Sequence, residues 1–196
     1  MTIDQKIQAV LTRLEQRDRR ERETGAPREV RLRQVSPEVG RFLHTLVLAT
    51  EAQSIVEIGT SGGYSTLWLA AAARAVGGHV TTLEIDSVKV ATATETIADA
   101  GLVNVASVVS GDAFAFLKER AERIDFCFLD AEKEDYEAFF DLAVPLLARG
   151  GVLVADNITS HAEELAAFVS RALSDDRLSA VAVPIGRGEL LAVRLP

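Results

Sequence analysis

The sequence predicts a doubly wound α/β domain: a seven-stranded, mostly parallel sheet with an antiparallel C-terminal hairpin strand and helices on both faces. Three observations carry that expectation. From Ser54 onward, short apolar runs alternate with longer amphipathic ones, the pattern of strands separated by crossover helices. Only Pro184–Gly188 separates the last two apolar runs, too short a link for a crossover, so these strands pair as a hairpin. The chain has 196 residues, enough for one well-buried core and too few for two ordinary domains.

The elements follow in order. Ile3, Ile7, Val10, Leu11 and Leu14 share one helical face, and Thr2 with Gln5 has capping-box spacing. That helix runs into an arginine-rich stretch and breaks at Gly25-Ala26-Pro27. A second helix opens at Ser36-Pro37, with serine as N-cap and proline at the first helical position, and shows Phe42, Leu43, Leu46 and Val47 as its apolar face. The domain boundary therefore falls between residues 1–35, an amphipathic helix with a charged linker, and 36–196. Strands are predicted at Ile55–Ile58, Val80–Ile85, Val105–Val109, Asp125–Leu129, Val152–Ala155, Leu178–Val183 and Glu189–Leu195. Helices are predicted at Tyr64–Val76, Val88–Ala100, Phe114–Arg120, Asp135–Leu147 and His161–Leu173. Gly101 and Gly150 stand where helix C-caps are expected, and Ser160 with Glu163 repeats the capping-box spacing.

Composition narrows the function classes. Residues 1–35 hold nine Lys or Arg against six Asp or Glu, while the remainder holds 12 against 23. An acidic body argues against nucleic acid as substrate, and the acids interleaved along the arginine-rich stretch point to a solvated or partner-facing helix. No apolar run approaches the length of a membrane span, and the polar Asp4-Gln5-Lys6 predicts no export signal, so the expected location is the cytoplasm. The single cysteine, Cys127, excludes an intrachain disulfide and a cysteine metal cluster, and reads as a buried core thiol.

In a sheet of this kind ligands bind beyond the carboxyl ends of the strands, near the switch in strand order. After the first strand comes Glu57-Ile58-Gly59-Thr60-Ser61-Gly62-Gly63-Tyr64-Ser65, a glycine-rich turn opening a helix. Its spacing fits neither the dinucleotide fingerprint nor a P-loop. The second strand ends in Glu84-Ile85-Asp86, where an acid can grip both hydroxyls of a ribose or cap the next helix. Gly111-Asp112-Ala113 follows the third strand, placed for an adenine edge. The fourth ends in Asp130-Ala131-Glu132-Lys133 and the fifth in Asp156-Asn157. Two carboxylates and an amide oxygen make a hard oxygen set suited to Mg²⁺, Mn²⁺ or Ca²⁺ rather than zinc; Asp156-Asn157 alone would equally make a turn. Three protein ligands leave room for a substrate with two adjacent hydroxyls. A cation there would acidify a phenol, and Lys133 could take its proton if nearby positive charge lowered its own affinity for one.

Together these residues resemble the class I S-adenosylmethionine-dependent methyltransferases, with a Rossmann-like fold, from about Val35 to the C-terminus. The resemblance implies that Glu57 lies near the methionine end of S-adenosylmethionine and that Gly59, Thr60, Ser61 and Ser65 line it. It also implies that Glu84 and Ile85 hold the ribose, that Asp112 and Ala113 border adenine, and that Asp130 bounds the same site. Asp130, Lys133, Asp156, Asn157 and Tyr136 are further similar to the cation-dependent O-methyltransferases, which include catechol and caffeoyl-coenzyme A O-methyltransferases. In that family's pattern Asp130, Asp156 and Asn157 hold the metal and Lys133 is the base. Val35–Leu43 looks like the family's cofactor-covering segment, with Val35 in place of a hydroxyl residue. The implied acceptor is a small aromatic diol, and the implied assembly a homodimer with the N-terminal apolar face buried. A metal-independent methyltransferase and a non-catalytic cofactor-binding module are the alternatives. His161 reads as a solvent-facing residue at a helix start, with a second base or substrate contact as the alternative, and Trp68 as packed.

Overall fold

Phe126, Cys127, Phe128, Leu153 and Val154 have no exposed surface, because the two strands carrying them lie in the middle of a sheet covered on both sides. The computed structural model describes residues 3–27 and 30–196. Element order is α1 (Gln5–Glu23), α2 (Pro37–Thr50), β1 (Ser54–Ile58), α3 (Tyr64–Val76), β2 (His79–Glu84), α4 (Ser87–Asp99), β3 (Ala106–Ser110) and α5 (Ala113–Glu119). Then come β4 (Ile124–Leu129), a 3₁₀ turn at Lys133–Asp135, α6 (Tyr136–Leu146), β5 (Leu147–Ala155), α7 (Ala166–Ser174), β6 (Leu178–Val183) and β7 (Glu189–Arg194).

The sheet has seven strands in the order β3-β2-β1-β4-β5-β7-β6. The first five are parallel, and β7 runs antiparallel to both β5 and β6, as the short Pro184–Gly188 link requires. Helices α1–α4 cover one face over Ile55, Phe126, Phe128 and Val154. Helices α5–α7 cover the other over Val56, Cys127 and Leu153. Strand order reverses between β1 and β4, so the carboxyl ends of those strands and their neighbours form the crevice.

Ile7, Val10, Leu11 and Leu14 are buried in the core that α3 and α4 line. The apolar face that the sequence offered to a partner copy is thus covered within the chain, each such side chain contributing about 1.5–3 kcal/mol. Asp4 caps α1 by accepting from Lys6 N at 2.8 Å; the expected cap, Thr2, lies outside the described residues. Ser36 caps α2 as expected, accepting from Val39 N at 3.2 Å.

Two local expectations fail. Gly150 is not a helix C-cap: α6 stops at Leu146, and Gly150 (φ +76) lies within β5, beside the register shift between Ile124 and Phe126. A glycine here lets the strand kink. The Ser160–Glu163 box does not start a helix either, since α7 begins only at Ala166. The Ser160 hydroxyl is engaged with Asn157 and His161 instead, where residues 158–165 run in successive turns. Among the described residues no helix is long and apolar enough to cross a membrane.

Candidate active site

Strand register aligns the functional side chains. Ile58 pairs with Leu83 and with Leu129, Leu129 with Ala155, and Ala155 faces Leu190. One residue further along, the same row runs Glu84, Gly59, Asp130, Asp156, Glu189. Backbone bonds continue the ladder through it: Gly59 N to Leu83 O at 3.1 Å, Asp130 N to Ile58 O at 2.9 Å and Asp156 N to Leu129 O at 3.0 Å. Side chains in one row point to one face about 4.8 Å apart per strand, here the face of α1–α4. A line of acids therefore crosses the sheet, interrupted by one glycine. That glycine has φ +100, and a Cβ there would sit 2.1 Å from the Asp130 carbonyl oxygen, so no other residue fits.

A cavity of about 410 Å³ lies above the row, large enough for a small-molecule cofactor. Of the residues expected to bind the cofactor, Gly59, Ser61, Glu84, Ile85, Asp112, Ala113 and Asp130 line it. The Glu84 carboxylate accepts from Ser61 N at 2.8 Å and from Ile85 N and Asp86 N at 3.0 Å. These three donors fix its orientation and leave lone pairs for ligand hydroxyls. Asp112 also caps α5, accepting from Phe114 N at 2.8 Å, so its side chain serves the helix start as well.

Three expected residues do not line this cavity. Thr60 and Ser65 are buried beside a small adjoining pocket, the Thr60 hydroxyl bonded to that of Thr82. Glu57 lies one row deeper with no exposure at all and accepts from the Thr66 hydroxyl. Burial raises its carboxyl to about 7, against the lowering effect of the Ser65, Thr66 and Thr82 hydroxyls. Glu57 thus braces the start of α3 from below. Leu32 and Arg33 reach over the cavity, and Val35, the first residue of the expected covering segment, lines the small adjoining pocket with Gly59, Ser65 and Asp130. Leu32 packs onto Gly62 and its carbonyl accepts from the Ser61 hydroxyl. Its N–H donates to Glu21 on α1 at 3.0 Å, and Arg33 pairs with Glu132 at 2.7 Å. These contacts join residues far apart in sequence, and no local pattern announces them.

At the other edge of the cavity Asp130, Lys133, Asp156 and Asn157 come together. Asn157 adopts φ +75, which folds its side chain back so that Nδ2 donates to Asp130 Oδ1 at 2.9 Å. Lys133 Nζ donates to Ala131 O and to the Tyr136 hydroxyl, both at 2.8 Å, and reaches Asp130 Oδ1 at 3.4 Å. The Tyr136 hydroxyl in turn donates to Asp156 O at 3.1 Å. Burial, and then the charge of Asp156, push the Asp130 carboxyl up to about 6, with Lys133 acting against them. Crowded carboxylates of this kind are what a divalent cation relieves. Among the described residues no three His, Cys, Asp or Glu side chains converge to hold a metal by themselves; the donor set needs the Asn157 amide. Its oxygen faces the Ser160 hydroxyl at 3.3 Å, and a half-turn of the amide would bring it beside Asp130. The residues present fit a hard cation by donor type.

Of two other residues at this edge, the sequence reading named His161 and missed Glu189. His161 lines the cavity half-buried instead of facing solvent. Glu189 is fully buried, and neither carboxylate oxygen has a hydrogen-bond partner at ordinary distance. Burial, then the charge of Asp156 and loose sharing of a proton with it, push Glu189 up to about 11. Only the β5–β7 register reveals this neighbour. Trp68 and Cys127 are packed as expected, at 5% and 0% exposure.

Comparison with known proteins places the chain in a family. Over 128 residues the chain is 38% identical to a catechol O-methyltransferase of Niastella koreensis, covering 63% of this chain and 58% of that protein. Over 127 residues it is 39% identical to a catechol O-methyltransferase of Mycobacterium tuberculosis, covering 63% and 56%. The matched region thus spans under two thirds of either relative's length. An O-methyltransferase of Bacillus cereus, solved in complex with SAH, superimposes with a TM-score of 0.81 at 31% identity, over 95% of this chain and 90% of that one. The family model described as O-methyltransferase matches residues 13–195, and the chain belongs to that O-methyltransferase family.

Proposed function

We propose that the chain transfers a methyl group from S-adenosylmethionine to a hydroxyl of a small catechol-like aromatic, with a divalent cation as cofactor. The observation that carries this reading is the convergence of Asp130, Lys133, Asp156 and Asn157 on one edge of a cavity whose other edge is Glu84. The curated relatives named for catechol methylation, and the neighbour bound to SAH, support the choice of donor and acceptor.

Glu84 grips the ribose, with Ser61, Ile85 and Asp86 holding its carboxylate still. Leu32 and Arg33 roof the cofactor and limit water entry. Asp130, Asp156 and the Asn157 amide would hold Mg²⁺ (or Mn²⁺ or Ca²⁺), which supplies charge that acidifies and orients a diol. Lys133, steadied by Ala131 O and the Tyr136 hydroxyl, accepts the acceptor's hydroxyl proton at Nζ once it is itself deprotonated. Most of the acceleration then comes from alignment of oxygen, methyl carbon and sulfur. Residues 36–196 carry the chemistry, and α1 with its linker supports the roof.

The test is methyl transfer to a panel of catechols with Mg²⁺, with chelator, and with Asp156→Ala. The expected outcome is loss of turnover by at least about a hundredfold in both perturbed cases. Full turnover in chelator would remove the cation from the mechanism. Binding of S-adenosylmethionine without transfer to any acceptor would leave only a binding module.

A further inference from the structure

His161 shares the acceptor edge of the cavity with Asp130, Lys133, Asp156 and Asn157. It stands in the turns that follow β5, and its backbone N–H donates to Asn157 O at 3.0 Å. That bond brings the ring back beside the amide four residues earlier. The two ring nitrogens differ in their surroundings. Nδ1 lies 3.0 Å from the Ser160 hydroxyl. Nε2 makes no hydrogen bond among the described residues, so it is the nitrogen left for whatever occupies the cavity.

The Ser160 hydroxyl joins this ring to the Asn157 amide. It has one proton to give and two lone pairs that accept. Besides Nδ1 it lies 3.3 Å from Asn157 Oδ1 and 3.4 Å from Asn157 O. As the side chains stand, the hydroxyl donates to Asn157 and accepts from Nδ1–H, which leaves Nε2 a bare acceptor. With the amide oxygen turned to a cation beside Asp130, Nδ2 comes round to the hydroxyl instead. The hydroxyl then accepts from Nδ2 and gives its proton to the nearer of its two remaining partners. That partner is Nδ1 at 3.0 Å, since Asn157 O at 3.4 Å already accepts from His161 N. The ring proton, exchanged through solvent, then sits on Nε2, with no change in net charge.

We propose that His161 is an acceptor-binding residue that donates Nε2–H to the hydroxyl oxygen that is not methylated. The Asn157 amide and the Ser160 hydroxyl set this polarity when the cation site is filled. The proposal rests on the cation-dependent reading above and adds a residue to it. A bare ring nitrogen would draw the proton from the second hydroxyl and make it a rival nucleophile. A donor there leaves Lys133 alone to take a proton. A contact made equally before and during transfer is read chiefly in KM.

The experiment follows the ¹⁵N shifts of the imidazole nitrogens in the intact chain at about pH 8.5, where neutral histidine rings show which nitrogen carries the proton. The chain has three histidines, so His44 and His79 serve as internal references. Saturating Mg²⁺, its binding measured by calorimetry, is expected to move His161 from mainly Nδ1–H to mainly Nε2–H and to leave the other two unmoved. Ser160→Ala, at an exposed side chain, should abolish the move while Mg²⁺ still binds. With catechol as acceptor, His161→Phe should raise KM about fivefold with kcat changed by no more than about twofold. His161→Gln, whose amide keeps a donor, should restore most of that loss. Mg²⁺ binding with the His161 shifts unmoved, or an unchanged KM in His161→Phe, overturns this role of His161 alone. No Mg²⁺ binding in the intact chain overturns the cation reading together with it.

Discussion

The two halves of the acid row are built differently. On the cofactor side Glu84 is satisfied by three backbone N–H donors within the loops that present it. On the acceptor side Asp130, Asp156 and Glu189 stand on adjacent strands with Lys133 as their nearby ammonium, and Glu189 has no partner for either oxygen. Like charges directly opposite one another destabilise a sheet. The difference teaches that the nucleoside half is preorganised by its own backbone, whereas the chemical half is completed only by what binds there.

The largest expected effect tests an exception, Glu57, a strained acid on the satisfied side. It holds its proton more tightly folded, at about 7, than unfolded, at 4.5. Its contribution to stability is therefore intact below about pH 4.5 and is lost as pH rises through 7, by roughly 3 kcal/mol in all. Asp130, raised to about 6, acts in the same direction from 3.8 upward. Urea denaturation without divalent cations should show falling stability from pH 4 to 8. Glu57→Gln should remove about 3 kcal/mol of the fall, Glu189→Gln, whose carboxyl is raised further still, at least as much, and Mg²⁺ should act on Asp130's part. A flat profile in the unaltered chain would show that the two halves do not differ in this way.

An intermediate effect probes preorganisation directly. Glu84→Ala should weaken S-adenosylhomocysteine binding at least tenfold in calorimetry, because two charge-assisted hydrogen bonds are lost. It should leave cation affinity nearly unchanged. Equal losses of both would join the halves into one unit. The smallest effect concerns the roof. Arg33 and Glu132 are 36% and 49% exposed, so their ion pair is worth at most about 1 kcal/mol. Arg33→Gln should speed S-adenosylhomocysteine release no more than about fivefold, less so in high salt. A much larger change would mean that Arg33 touches the cofactor itself.

Much of this was legible in the chain. Alternating apolar runs and the short Pro184–Gly188 link specify the sheet, because strand and crossover lengths leave few other solutions. The types of Glu84, Asp130, Lys133, Asp156 and Asn157 and their positions after strands suffice to gather them. Glu57 is set below the cavity by the strand period: two residues before Gly59 on the same face, it lies one row deeper. Glu189 reads as an ordinary strand residue until β7 is set against β5. Leu32 and Arg33 depend on a return of the chain over the Gly62 loop, and the late start of α7 on side-chain bonds from Ser160 that compete with the helix.

The close approach of Gly59 to the Asp130 carbonyl has a consequence for how such a protein can change over generations. The Gly59 loop and the end of β4 meet there with no spare volume, so neither can shift without the other. In the turn carrying Arg187 that side chain is exposed and free of such a limit, whereas a Cβ on Gly188 would sit 2.1 Å from the Thr159 hydroxyl oxygen. Libraries that vary Arg187 alone should therefore yield folded proteins. Libraries that vary Gly59 should yield mostly unfolded ones: one seam is frozen, and the other leaves a single exposed side chain free to vary.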